Sequence, residues 1–210
     1  SVHYFHTLIE VFGSDPAYAS AIHERALGLK KQFEARLTKG QVSIVPHATY
    51  SLSEELFKLV LSDGQGDVKS IHHQENEDEN HFFNNGSGPI ALRRKAFNPH
   101  LPPYAGTGKR PMESIAGFFN PDHKLLLVHN TVSQPEDIAF VQHYFKQAYW
   151  CFCPNANLYI ENRLPQPDYF RQQQCVITLG TDSLASNYSL SLLSEMKTIS
   201  KHFAHIPFTE

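Results

Sequence analysis

Short apolar runs recur along the chain, each broken by glycine, proline or a polar cluster and most followed by a stretch of helical periodicity. Residues 2–11, VHYFHTLIEV, are rich in β-branched and aromatic side chains and stop at Gly13-Ser14, which predicts a buried strand. Ala17, Ala21, Ala26, Leu29, Phe33 and Leu37 then keep roughly helical spacing over residues 16–37, with Ser14 or Asp15 placed to cap the start and Lys39-Gly40 to close the end. The unit repeats: strands predicted at 41–46, 68–71, 124–128, 148–153 and 175–179 alternate with helices predicted at 51–61, 75–83, 112–119, 134–147 and 188–200. Ser133 is placed to cap the helix that begins at Gln134. Two stretches read as irregular. Residues 84–111 carry Gly86, Gly88, Pro89, Pro99, Pro102, Pro103, Gly106 and Gly108, which suggests a long excursion lying over a site as a lid, and residues 154–167 read as a loop rich in Asn and Pro. Gly106-Thr107-Gly108-Lys109 lacks both the spacing and the preceding strand of a phosphate loop.

Strands alternating with helices imply a parallel sheet with right-handed crossovers. Six such units suit either part of an eight-stranded barrel or an open doubly wound sheet. No glycine fingerprint of the kind dinucleotide binding requires follows any strand. Several strands instead end on ionisable side chains: His47, His72 with Glu75, His129 and Asp182. A barrel enzyme assembles its site in this way, from the C-terminal ends of several strands. The expected fold is therefore α/β, a partial (β/α)8 TIM-type barrel forming a single, incomplete domain over residues 1–210.

A net charge of -3 gives no reason to invoke a polyanion or an acidic membrane surface, so neither nucleic acid nor membrane is an expected partner. No apolar run approaches the roughly 20 residues of a membrane span. Three cysteines, with Cys151 and Cys153 two apart, do not suggest a disulfide framework and fit a reducing compartment, which gives a cytoplasmic expectation. Thirteen histidines, clustered near predicted strand ends, raise the weight of metal chemistry.

These strand ends, taken in order, resemble the amidohydrolase superfamily, in particular its chlorohydrolase and aminohydrolase branch acting on nitrogen heterocycles and nucleoside-like compounds. The motifs that carry the resemblance are Pro46-His47-Ala48 with Tyr50, Ser70-Ile71-His72 through Glu75, Leu127-Val128-His129-Asn130, Cys153-Pro154-Asn155-Ala156-Asn157-Leu158, and Gly180 to Asn187. They are similar to the family's strands four to eight, and the likeness runs over nearly the whole chain. The resemblance implies a metal-bound hydroxide, on Zn2+ or another divalent ion such as Fe2+, attacking an sp2 carbon in hydrolytic deamination or dechlorination. In that reading His72 and Asp182 ligate the metal, with His129 a further ligand in two-metal relatives. Glu75 shuttles a proton, Asp182 accepts one from the bound water, His129 polarises the substrate, and His47 lines the pocket of a small N-heterocyclic substrate. Hydrolysis of a cyclic amide is an alternative within the same class.

One part of the family pattern is absent. The metal site also needs a His-x-His pair at the end of its first strand, whereas His3 and His6 are three apart and occupy the place of its third. The sequence is thus expected to be an interior piece matching strands three to eight, holding part of a metal site, with open sheet edges that favour a homo-oligomer. The contrasting expectation is a non-catalytic fragment or degenerate relative acting as a ligand-binding or interaction module. His73 is expected on the opposite strand face from His72, His3 and His6 in the core or the pocket, and His81, His100, His123, His202 and His205 at the surface.

Overall fold

A computed structural model describes residues 4–62 and 68–207; His3 lies outside the described residues. The first unit is strand β1 (Phe5–Val11) and helix α1 (Ala19–Glu34), preceded by a short turn of helix in which the Asp15 side chain accepts from the Ala17 amide. There follow β2 (Gly40–Pro46), α2 (Glu54–Ser62), β3 (Val68–His73) and α3 (Glu77–Asn85). Next come α4 (Gly88–Phe97), α5 (Pro111–Ile115), β4 (Lys124–His129), α6 (Pro135–Tyr144) and β5 (Gln147–Phe152). The chain continues through α7 (Pro154–Glu161), α8 (Pro167–Gln172), β6 (Val176–Leu179) and α9 (Leu192–His202).

All strand pairs are parallel, β1 with β2 and then β3, β4, β5 and β6 in sequence order. Among the described residues a single bridge, Ala48 opposite His72, joins the two groups, with the His72 amide donating to the His47 carbonyl at 2.8 Å. The six strands therefore run side by side in chain order, as in part of a (β/α)8 barrel. Parallel strands are covered on both faces, and Val42, Ser43, Ile44, Val45 and Pro46 are accordingly all buried. Between strands and helices lies the main core, in which Leu56, Val60, Leu125, Leu127, Ile138, Val141, Trp150 and Phe170 are wholly enclosed. The Phe170 ring meets Trp150 at 5.0 Å and Phe152 at 4.9 Å, both edge to face. On the opposite face of the strands Cys151, Cys153 and Ala156 pack with Leu126 and Val128 as a smaller cluster. The alternation along β4 is thus Leu125 and Leu127 toward the helices and Leu126 and Val128 inward.

Two stretches expected to be irregular are helical. Residues 88–97 form α4 and residues 154–161 form α7, and in both the proline sits in the first turn, where its missing amide costs no helical hydrogen bond. The left-handed C-cap Asn162 ends α7. In these segments proline and asparagine mark helix ends. The cap of α6 also differs from expectation: Gln134 occupies the cap position, its amide donating to Asp137 at 2.8 Å, while Ser133 turns inward to donate to the Gln74 side chain at 2.6 Å.

The excursion that contains α4 is tied down at both ends. Thr107 and Gly108 donate to the carbonyls of Phe83 and Asn84 at 2.6 and 3.0 Å, and Tyr104 stacks on Phe82 at 4.2 Å. Asn98 donates to the Ser14 hydroxyl at 2.9 Å and the His100 ring pairs with Asp15 at 2.8 Å, so the segment reaches the loop beyond β1. Gly86 makes the close approach possible: its φ of 69° is left-handed, and a Cβ there would fall on the Tyr104 carbonyl oxygen. Gly28, inside α1, has nothing within 4 Å of an added Cβ. Gly28→Ala is therefore expected to raise stability by about 0.5–1 kcal/mol, and Gly86→Ala to lower it by more than that. Urea midpoints of the two variants, moving in opposite directions, check both.

Candidate functional site

The C-terminal ends of β1 to β4 bring one cluster of side chains together. The chain leaves β2 at Pro46, and the His47 amide donates to the Val11 carbonyl at 3.0 Å, which sets His47 at the mouth of the sheet. Its ring lies 4.8 Å from that of His72, edge-on, and the His72 ring lies 5.0 Å from that of His129. Three imidazoles from three successive strands thus form a row.

Hydrogen bonds orient the two outer rings. Ser51 Oγ accepts from the Ala48 amide at 3.0 Å and donates its one proton to the Ala48 carbonyl at 3.2 Å. His47 Nδ1 lies 3.1 Å from the same oxygen, which fixes the plane of the ring. His129 Nδ1 donates to Asn157 Oδ1 at 2.9 Å, because the Asn157 amide nitrogen points at the His129 carbonyl, 3.4 Å away. His129 Nε2, the other ring nitrogen, lies 3.7 Å from Glu75 Oε1.

His129 reaches this row only because β4 breaks its alternation. Leu125 and Leu127 point at the helices, so a regular strand would send His129 the same way. His129 and Asn130 instead adopt positive φ values of 76° and 57°. Such conformations are costly for non-glycine residues and persist where surroundings over-determine them. Here the Asn130 side chain donates to the Leu127 carbonyl at 2.8 Å and accepts from His73 Nδ1 at 3.0 Å. The fully buried His73 is turned to the helix layer, where it meets Trp150 edge-on at 6.2 Å, on the face opposite His72 as alternation predicts.

Asp182 is placed by a different device. Gly180 passes so close to β5 that a Cβ would lie 2.9 Å from Cys151 Sγ and 3.2 Å from Cys153 Sγ. The chain then turns at Asp182, with φ of 54°. Its carboxylate accepts from the Ser183 amide and the Ser186 hydroxyl, both at 2.7 Å. Asn187 donates to the Thr181 carbonyl at 2.6 Å and to the enclosed Glu195 at 2.7 Å, and Glu195 also accepts from the amide and side chain of Asn155 at 2.8 and 2.9 Å. Asp182 is within electrostatic reach of His72 and Glu10. Among the described residues it makes neither an ion pair nor a hydrogen bond with His72, Glu75 or His129.

Sequence reasoning passed over Glu10. Its Oε1 lies 3.4 Å from His72 Nε2, and burial raises its pKa against the opposing pull of His47. The signal was available: Ile9 and Val11 are buried toward the helices, so Glu10 shares the opposite face with His6, which bonds Ser43 Oγ at 2.8 Å. Asn157 and Glu195 were also missed, because their contacts arise from how α7 and α9 pack. His123, expected at the surface, is only 2% exposed, in edge contact with Phe119 at 6.5 Å. His81, His202 and His205 are exposed as expected.

Among the described residues no group of three His, Cys, Asp or Glu side chains is arranged to hold a metal ion. His72 has the chemistry of a ligand, a neutral imidazole, and Asp182 that of an anionic partner. The residues described do not fit a complete metal centre.

The amidohydrolase family model matches residues 14–206. Aminodeoxyfutalosine deaminase from Nitratiruptor sp. is 29% identical over 193 residues, spanning 90% of this chain and 45% of that protein. 5-Methylthioadenosine/S-adenosylhomocysteine deaminase from Saccharophagus degradans is 34% identical over 160 residues, 74% of this chain and 30% of that protein. The crystal structure of Helicobacter pylori aminofutalosine deaminase superposes with a TM-score of 0.84 at 22% identity, covering 97% of this chain and 50% of its own. Atrazine chlorohydrolase from Arthrobacter aurescens, solved with zinc, gives 0.69 at 15% identity over 97% of this chain and 43% of its own. The chain thus spans at most about half the length of these relatives.

Burial lowers the pKa of His72 to about 3, helped by His129 and His47, and that of His73 to about 4. Both should stay neutral at pH 5, and ring 15N shifts will show it. The unfolded chain takes up these two protons as pH falls below about 6.5 while the folded chain does not. Stability should therefore decline from pH 6.5 toward pH 4, read as a falling urea midpoint.

Proposed function

The chain belongs to the amidohydrolase family, and from that premise we propose that it provides the substrate-placing and proton-transferring half of a hydrolytic deaminase acting on an adenosine-like nucleoside. The observation that carries this reading is the row His47, His72, His129 at three strand ends, with Glu75 set 3.7 Å from the Nε2 of His129. The relatives named as nucleoside deaminases support the substrate class.

The proposed roles follow from the hydrogen-bond assignments. Water adds to the ring carbon that carries the exocyclic amine: Asp182 takes one of its protons, and protonated Glu75 gives its own proton to the adjacent ring nitrogen. As the carbonyl forms and the C–N bond breaks, the proton of the added hydroxyl returns to Glu75 and the proton on Asp182 goes to the amine, which leaves as ammonia. His129, its Nδ1 bonded to Asn157, presents Nε2 to the reacting centre, and His47 presents its Nε2 at the pocket wall. Zinc or another divalent ion, proposed for the whole protein as the source of hydroxide, would need donors beyond His72 and Asp182. A second reading, a non-catalytic module that binds a purine-like ligand, is favoured by the absence of a three-donor group among the described residues. Dechlorination of a triazine is a third, supported by the structural likeness to the chlorohydrolase.

Ammonia release from 5-methylthioadenosine, aminodeoxyfutalosine and a chlorotriazine separates these readings. It is to be measured on this chain and on the chain joined to any sequence its gene encodes upstream. Deamination by the longer form, lost by about 100-fold or more in Glu75→Gln and Asp182→Asn, is the expected result; no turnover of any substrate supports the binding module. Metal analysis of the 210-residue chain is expected to find well under one zinc per molecule, and tight stoichiometric zinc would overturn the division of donors.

A further inference from the structure

Glu79, in the first turn of α3, is 1% exposed and takes no part in the chemistry above. No cation pairs with it among the described residues. Its carboxylate instead accepts from the Thr49 hydroxyl at 2.7 Å, and the backbone of Gln74 and Glu75 lies near enough to hold its pKa down. Gln74 is the left-handed residue between His73 and Glu75, with φ of 45°. Its side chain is held at both ends, accepting from Ser133 at 2.6 Å and donating to Asn80 at 2.9 Å, and its carbonyl accepts from the Val132 amide at 3.1 Å. The turn that lifts Glu75 off the end of β3 is thus held through the Gln74 side chain and carbonyl, and Glu79 lies against its backbone.

We infer that Glu79 is a positioning residue: its buried carboxylate clamps the Gln74–Glu75 turn to the β2 loop through Thr49 and so sets the Glu75 carboxylate against His129. The role assigned to Glu75 rests on the proposed deaminase; the clamp itself does not. Burial of a carboxylate without a cation is costly, and the Thr49 hydroxyl with the backbone of the Gln74–Glu75 turn is the compensation the fold supplies. The end of β6 shows the same device, where buried Glu195 holds the loop of Asp182 through Asn187.

The electrostatics agree with this geometry. Burial raises the Glu79 pKa to about 7, opposed by the backbone of Gln74 and Glu75 and the Thr49 hydroxyl and reinforced by the Glu75 carboxylate. The groups that face it are Thr49 and Tyr50 from the β2 loop and Gln74 and Glu75 from the β3 turn. The Tyr50 phenol, itself pushed up to about 12 by burial and by Glu79, remains neutral through this range. An amide proton beside a titrating carboxylate shifts with it.

The test begins with NMR on this chain. The Gln74 and Glu75 amide protons should titrate together with a midpoint near 7. Both shifts should vanish in the isosteric Glu79→Gln. That variant should also move the His129 ring resonances in the same direction as Glu75→Gln does. Thr49→Val should give a smaller change of the same sign, and Thr49→Ser should restore the native spectrum. In an active form, Glu79→Gln should lower kcat by roughly 10- to 100-fold with KM nearly unchanged, the cost of misplacing one catalytic group. Amides that do not titrate would overturn the clamp. Titrating amides with His129 resonances or kcat unmoved by Glu79→Gln would overturn the positioning role. If no form deaminates anything, the deaminase reading falls, and the His129 resonances still decide for or against the clamp.

Discussion

The backbone hydrogen bond from the His72 amide to the His47 carbonyl, 2.8 Å long, is the contact on which the arrangement turns. It is part of the bridge joining β1 and β2 to the four-stranded group, and it falls where those strands end. A barrel site needs side chains from strands distant in sequence to converge. This bond sets the two backbones together, so the rings of His47 and His72 meet at 4.8 Å. Elsewhere the sheet is held by full ladders; at the seam this bridge joins the two groups and sets two imidazoles side by side.

Each strand end beyond the seam meets a second constraint, that regular alternation would point half of its side chains at the helices. The solution recurs. Gln74, His129 with Asn130, and Asp182 all adopt left-handed backbone conformations. Each turn has a buried polar partner set against its backbone: Glu79 for the β3 turn, Asn130 and Asn157 for β4, and Asn187 backed by Glu195 for β6. Strained backbone and buried polar groups are individually unfavourable. Combined in one network they fix side chains at defined angles, which a catalytic constellation requires.

This division explains what the sequence disclosed. Short apolar runs and the glycine, proline or polar residues that break them revealed the six strands, and the alternation rule separated His72 from His73. The positions of His47, His72, Glu75 and His129 followed from strand ends and motif order. The helices at 88–97 and 154–161 were hidden because first-turn proline and terminal asparagine serve helix ends as readily as loops. Glu79, Asn157 and Glu195 were hidden for another reason. Each lies on a helix: Glu79 bonds Thr49, 30 residues away, Asn157 bonds His129, 28 residues away, and Glu195 bonds Asn155 of α7, 40 residues away. No local pattern encodes such a pairing, and only tertiary packing creates it.

The edges of the sheet are where the same logic stops. Strands β1 and β6 each pair on one side only, and Phe5 and Val176, at their starts, are 60% and 54% exposed. Long unpaired edges with apolar side chains template further pairing, and a closed barrel removes them. The row of imidazoles lies in the interior of the arc, on β2, β3 and β4, whereas Asp182 follows the edge strand β6 and is held by its own loop. The half of the constellation bounded by paired strands is brought together, and the half that depends on an edge strand stands apart. Closure of the sheet would therefore act more directly on Asp182, which follows an edge strand, than on the histidines, whose strands β2, β3 and β4 already have neighbours on both sides.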